Sequence, residues 1–341
     1  MTRVLPRPDC SVVIPSYNGR ALLATCLASI RRHRPPSLAI EVIVADDAST
    51  DDTPGWLAVA HPDVRPVRLD RNAGFCGAAN AGIAAAVGKY VQLLNNDTEV
   101  TAGWIEAGLA PFADPRVGSV APLVLVRSDP GRVDSAGDSY AAFGWPSKRG
   151  HGQDAGHWAD RPPDRVFGAS GSSAFYRADA LRAVGGFDPS FGSYYEDVDL
   201  AFRLRWAGHD CAFAPDCRIL HDLSASYDHD DPALQRRMAR NAEIVFWSNL
   251  PAGWLVAAML PHAAFTVAQG LWKLARGRHR PFVRGKLDAL LRWSTLRDRR
   301  RLRADLARAA THRPRFPLTL APVADARNHL GRPREAARHA G

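Results

Sequence analysis

Five cysteines in 341 residues, Cys10, Cys26, Cys76, Cys211 and Cys217, are odd in number and scattered, and none forms a C-x-x-C pair. Neither a disulfide framework nor a cysteine zinc site is indicated, and a reducing compartment fits. The first ten residues, M-T-R-V-L-P-R-P-D-C, lack the apolar core of a secretory signal. No G-x-G-x-x-G follows the first strand-like run, where residues 15–20 read P-S-Y-N-G-R. A nicotinamide-dependent oxidoreductase needs that turn, so it is not expected. From Ile244 to Trp272 the chain lacks Lys, Arg, Asp and Glu altogether.

Charge is unevenly placed. The chain carries 44 Lys and Arg against 35 Asp and Glu, a formal net charge of +9. From Lys273 onward there are 19 basic and 5 acidic residues, so this segment holds +14 and residues 1–272 hold −5. A uniformly basic nucleic-acid binder would not divide its charge this way.

Residues 10–16, C-S-V-V-I-P-S, are a short apolar, β-branched run closed by Pro15, which predicts a buried strand. A helix is expected over 20–31, a strand over 41–45, another helix after Thr53, and a strand around 64–69. A small-residue helix over 76–87 and a strand over 90–94 follow. Alternating strands and helices imply a mostly parallel sheet covered on both faces. Polar clusters recur at the strands' carboxyl ends: Tyr17-Asn18, Asp46-Asp47, Asn72-Ala73-Gly74 and Asn95-Asn96-Asp97. Ligands of open α/β sheets bind at that edge. Residues 127–165 read as a long irregular loop, a substrate-facing flap, and 167–176 as a Gly/Ser-lined strand.

Glu196, Asp197 and Asp199 crowd the start of a helix whose apolar face is Leu200, Leu204 and Ala207, with Gly208 at its end. One acid would suit the helix dipole, whereas three within four residues repel one another. Beside Tyr194 and Tyr195 they are candidates for a general base.

The chain divides into a body over 1–230, a basic amphipathic helical region over 231–310, and an unpatterned tail over 311–341, expected to be disordered. The uncharged run is interrupted by Asn249, Pro251, Pro261, His262 and Gln269, which predicts two amphipathic segments. Trp247, Trp254, Trp272 and Trp293 suit an interfacial aromatic belt. A helix pair lying in an anionic membrane surface is the favoured reading, and a transmembrane span the alternative.

Six motifs in order carry a resemblance. S-V-V-I-P-S-Y-N, I-V-A-D-D-A-S-T-D, N-A-G-F-C-G-A-A-N-A-G, L-L-N-N-D-T, V-G-G-F-D and Y-E-D-V-D-L-A-F-R resemble the family 2 glycosyltransferases, in particular bacterial rhamnosyltransferase-like members with the GT-A fold. The resemblance spans about Cys10 to Ser226. It implies a Rossmann-like α/β domain that uses a nucleotide-sugar donor and Mg²⁺ or Mn²⁺, and inverts the anomeric centre. It also implies site residues: Asp197 as base and Glu196 orienting acceptor or base. For the donor nucleotide it implies Pro15, Tyr17, Asp47, Arg71, Asn72, Gly74 and Asn96, and for the metal Asp97 and His221. Asn95 and Asn96 stand where the family's metal motif usually has its first acid, which leaves Asp97 the one strong ligand there.

The implied donor is a dTDP- or UDP-sugar, rhamnose from dTDP-rhamnose first, with galactosyl, galactofuranosyl or another hexosyl transfer as alternative. The implied acceptor is a saccharide or polyprenyl-linked saccharide in cell-wall or surface polysaccharide synthesis, met at the cytoplasmic side of a bacterial plasma membrane. No nucleic-acid partner is expected. A rival of another class is a catalytically inactive GT-A-like protein of the membrane surface; N-N-D favours it, and intact Glu196-Asp197 and His221 oppose it.

Overall fold

The computed structural model of the chain describes residues 7–222 and 230–320. Strands β1 (Cys10–Ser16), β2 (Ile40–Asp46), β3 (Arg65–Arg68) and β4 (Tyr90–Leu94) alternate with helices α1 (Arg20–His33), α2 (Thr53–Ala60) and α3 (Gly74–Ala85). The strands run parallel in the order β3-β2-β1-β4. β1, β2 and β4 are almost wholly buried runs of Val, Ile, Leu and Ala, as a sheet covered on both faces requires. β3 reads R-P-V-R and is largely exposed, and its proline and charges suit an edge. All five cysteines are free and buried.

Beyond β4 the sheet is mixed. After β5 (Thr98–Val100) and α4 (Trp104–Leu109) come β6 (Val117–Val126) and β7 (Asp129–Ser135). A separate hairpin of β8 (Asp138–Ala141) and β9 (Trp145–Lys148) follows, then α5 (Ala155–Ala159) and the edge strand β10 (Arg165–Val166). Strand β11 (Ser173–Arg177) inserts antiparallel between β4 and β6, and α6 (Ala178–Ala183) follows it. After helix α7 (Glu196–Trp206), β12 (Asp210–His221) runs parallel beside β6 and pairs with β5.

Residues 127–165 are therefore not a loop. Their strands are four to seven residues long and rich in Asp, Gly and Pro, so no period is visible. Pairing of β7 with β6, and a turn at Gly144 with φ +99°, supply the order. The strand expected over 167–176 begins only at Ser173, because Gly171 turns its N–H toward Asp197 instead.

The carboxyl-terminal helices are α8 (Pro232–Asn249), α9 (Ala252–Ala275), α10 (His279–Leu290) and α11 (Trp293–Ala309). The uncharged run breaks once, at Leu250–Pro251. Its first residues are the end of α8, with Ile244, Val245 and Phe246 buried, and the rest lies in one 24-residue helix that contains Pro261. α9 is long and apolar enough to cross a membrane by length and composition. Val256, Leu260, Val267 and Leu271 are more than 60 % exposed, while Ala258 and His262 are buried. Trp272 and Trp293 are exposed, but Trp247 and Trp254 pack against a core cluster formed with α7.

Residues 311–320 depart from the expected unpatterned tail. Phe316 and Leu318 pack on that cluster, the Ala142 N–H donates to the Thr319 carbonyl at 2.8 Å, and Arg205 donates to the Arg315 carbonyl at 3.0 Å. Residues 321–341, for which disorder was also expected, lie outside the described residues, as do 223–229, which include Ser226.

Candidate active site

The polar strand ends converge. Asp47, just past β2, is 4 % exposed, and its two carboxylate oxygens accept the N–H groups of Ala73 at 2.7 Å and Gly74 at 2.9 Å. This fixes the Asn72–Gly74 turn, where Gly74 has φ +71° and Asn72 Oδ1 also accepts its N–H. Asp47 thus already has a structural duty at both oxygens. Asn96 Nδ2 donates to Ser16 Oγ at 3.2 Å, which joins the ends of β4 and β1. Pro15 is buried within β1 beside Ala45, Tyr17 is 46 % exposed at the rim, and Arg71 is exposed.

Asp97 and His221 lie side by side. His221 ends β12, and its Nε2 lies 3.4 Å from Asp97 Oδ1. Its Nδ1 is 2.9 Å from Asp134 Oδ2, on β7. Burial opposes charge on this ring, but the hydrogen bond to Asp134 and the negative charge of nearby Asp97 outweigh it and lift the pKa to about 9. Asp134 also binds Lys148 Nζ at 2.8 and 3.0 Å. Burial works against its charge too, yet Lys148, His151 and His221 hold it well below the usual carboxylate range. Sequence reasoning missed Asp134 and Lys148, since both lie in the segment taken for a loop.

Among the described residues, no three His, Cys, Asp or Glu side chains form a metal-binding group. The pair nevertheless fits a divalent cation that draws its remaining ligands from substrate and water. Asp97 Oδ1 is buried without a hydrogen-bond partner and faces Nε2. A carboxylate at the other ring nitrogen is the usual support of a metal-binding histidine.

Asp197 sits in the first turn of α7. Its Oδ2 accepts the Gly171 N–H at 2.9 Å and its Oδ1 the Val198 N–H at 2.8 Å. Burial raises its pKa, and the hydrogen bonds from Gly171 and Val198 and the charge of Lys148 restrain the rise. Glu196 is 8 % exposed and its Oε2 has no hydrogen-bond partner. Burial first, and then the Asp197 charge, push its pKa well above the usual range. Asp199 has a different part from its neighbours. It is fully buried and binds Arg203 at 2.7 Å, Arg303 at 2.6 Å and Asn249 at 3.0 Å, which ties α7 to α8 and α11.

The approach to α7 is strained. Tyr194 and Tyr195 both adopt left-handed backbone, φ +65° and +71°, which costs roughly 1–3 kcal/mol per non-glycine residue. Asn241 of α8, fully buried, holds the turn: its Nδ2 donates to the carbonyls of Phe191, Ser193 and Tyr194 at 3.0, 3.1 and 2.8 Å. Sequence spacing gave no sign that Asn241 reaches back across some fifty residues.

A family model described as Glycosyl transferase family 2 matches residues 11–185. Over 284 residues the chain is 31 % identical to the N-acetylglucosaminyl-diphospho-decaprenol L-rhamnosyltransferase of Mycobacterium tuberculosis, covering 74 % of this chain and 87 % of that protein. Among solved structures it resembles Staphylococcus aureus TarS 1–349 in complex with UDP-GlcNAc, at 16 % identity and TM-score 0.58, covering 88 % of this chain and 89 % of that one. It also resembles GalNAc-T7 with UDP, GalNAc and Mn²⁺, at 18 % identity and TM-score 0.57, covering 71 % of this chain and half of that one.

Proposed function

Because the chain belongs to glycosyl transferase family 2, we propose that it moves a hexosyl group, with inversion, from a nucleotide-sugar onto a polyprenyl-linked saccharide. Rhamnose from dTDP-rhamnose is the first choice, in keeping with the rhamnosyltransferase to which the chain is similar. Galactosyl, galactofuranosyl or another hexosyl transfer from a UDP-sugar is the alternative.

The observation that carries this reading is Asp197, a half-buried carboxylate aimed by two main-chain N–H groups at the start of α7. A sugar hydroxyl becomes a competent nucleophile only as its proton leaves. The acceptor hydroxyl donates to Asp197, its proton passes to that carboxylate as oxygen attacks the anomeric carbon, and the bond to the nucleoside diphosphate breaks on the opposite face. Burial makes Asp197 a stronger base, while its two N–H donors restrain that rise. Glu196, its pKa pushed up by burial and by the Asp197 charge, orients the acceptor. The Asn72–Gly74 turn braced by Asp47, together with Tyr17, receives the nucleoside. Asp97 and His221 would hold Mg²⁺ or Mn²⁺, which supplies positive charge to the departing diphosphate.

The exposed apolar face of α9 and the basic helices after it support placement at an anionic cytoplasmic leaflet, where burial and charge attraction reinforce each other. Two assays test the proposal. Transfer to polyprenyl-diphosphate N-acetylglucosamine is measured across a panel of dTDP- and UDP-sugars, and turnover with none of them contradicts it. Full-length protein is co-sedimented with anionic liposomes at low salt, and protein left in the supernatant removes the membrane claim.

A further inference from the structure

A cavity of about 470 Å³ lies beside the donor turn, and its lining includes Asn72, Gly74, Gly192, Ser193, Arg237 and Arg240. That volume is within the usual range of small-molecule sites, roughly 300–1,000 Å³. Its two walls are the turn that Asp47 braces and the loop that leads into Glu196 and Asp197. Helix α8 supplies both arginines, from its first half.

The arginines are held in place by neutral oxygens rather than by carboxylates among the described residues. Arg237 Nη1 donates to Ser193 Oγ at 2.8 Å, and Arg240 Nη2 to the Ser190 carbonyl at 2.8 Å. Nearby Arg236 and Arg299 are paired with Asp288 and Asp188. Among the described residues neither Arg237 nor Arg240 forms such an ion pair, and no carboxylate lines the cavity. Burial, Arg292 and Arg237 disfavour charge on Arg240, and the Asp288 carboxylate offsets them only in part. Gly192, φ +73°, brings its backbone to the Arg237 guanidinium, and a side chain there would stand 3.6 Å from Arg237 Nε. Planar guanidinium groups with free donors match phosphate oxygens in geometry and charge.

We propose that Arg237 and Arg240 form a diphosphate-binding subsite in this cavity, separate from the Asp97–His221 pair. This rests on the transferase reading above. Two substrates carry the group it recognises: the nucleotide-sugar, and an acceptor whose sugar hangs directly on a polyprenyl diphosphate. The cavity adjoins both the donor turn and the approach to the base, so either diphosphate reaches it.

Inorganic pyrophosphate, titrated into the full chain by calorimetry with EDTA present, tests the subsite without turnover. Arg237→Gln should weaken binding about tenfold or more, the worth of one charge-assisted hydrogen bond. Arg237→Lys should recover part of the loss. Kinetics then separate the sources. If the acceptor's diphosphate is bound, Arg237→Gln lowers the preference for polyprenyl-diphosphate N-acetylglucosamine over an alkyl N-acetylglucosaminide about tenfold. If the donor's is bound, that preference holds and the donor KM rises instead. Wild-type protein that ignores millimolar pyrophosphate overturns the subsite, as does an Arg237→Gln protein that melts and binds like wild type with both kinetic readouts unmoved. Should Arg237→Gln melt early, Arg237→Lys decides alone: unchanged pyrophosphate affinity and kinetics overturn the proposal. Failure of pyrophosphate binding leaves sugar transfer standing, and absence of transfer leaves the pyrophosphate result standing.

Discussion

Asn241→Ala should slow the enzyme from a position that is not among the candidate catalytic or metal residues. One Nδ2 group serves the carbonyls of Phe191, Ser193 and Tyr194. Arg240 Nη2 also reaches the Phe191 carbonyl, at 3.3 Å, so the loss falls on the other two. A buried acceptor left without its donor costs about 1–3 kcal/mol, so with two of them the variant should lose roughly 2–6 kcal/mol of stability. The fold should survive, because Asp199, Arg303 and Asn249 still join α7 to α8 and α11. The melting temperature should fall by about 4–24 °C, at roughly 2–4 °C per kcal/mol. Without that clamp the left-handed Tyr194–Tyr195 pair relaxes, and the first turn of α7 moves with it. Misplacing a base by about 1 Å costs on the order of 10²-fold in rate, so kcat should fall by about that much. The donor KM should stay within a few-fold. Asn241→Asp, similar in shape but unable to donate, should be at least as damaging. Wild-type kcat in an Asn241→Ala protein, whatever its melting temperature, would refute the positioning argument.

Two further outcomes follow from the charged networks. Asp97→Ala should weaken binding of the nucleoside diphosphate more than of the nucleoside, with His221→Ala milder; equal diphosphate affinity with and without excess EDTA contradicts a metal bridge. Glu243 is the hub of a buried cluster with His262, Lys286 and Trp247. Burial opposes its charge, but His262 and Lys286 bring its pKa down to about 2. A depressed carboxylate stabilises the fold above its unfolded pKa of about 4.3 and loses that contribution as pH falls toward the folded value. About 3 kcal/mol should therefore disappear between about pH 4.5 and 2. Glu243→Gln should flatten the melting temperature over that window, and an unchanged acid profile excludes the assignment.

Legibility in the sequence followed the range of the interactions. β1, β2 and β4 announce themselves because burial on both faces writes an uninterrupted apolar run into consecutive residues. The Asp97–His221 pair and Asp197 were accessible through motifs that keep their order along the chain. The segment over 127–165 was opaque because its short strands are stabilised by partners elsewhere, and it concealed Asp134, which orients His221. Asn241, Asn249, Arg299 and Arg303 were opaque for the same reason. Arginines in a basic helix read as a solvated or lipid-facing surface, yet Arg303 is 3 % exposed at the Asp199 carboxylate. The single break in the uncharged run shows the converse. Pro261 is tolerated within α9, whereas Pro251 begins a helix, where its missing N–H costs nothing.

The central claim is that Asp197 is the base. Asp197→Asn keeps the shape of the side chain and removes its ability to take a proton. Single-turnover transfer from the cognate nucleotide-sugar, measured beside donor affinity, should fall by roughly 10²–10⁴ with donor binding within a few-fold. Near-normal transfer by a folded Asp197→Asn protein would contradict the account and move the search to Glu196.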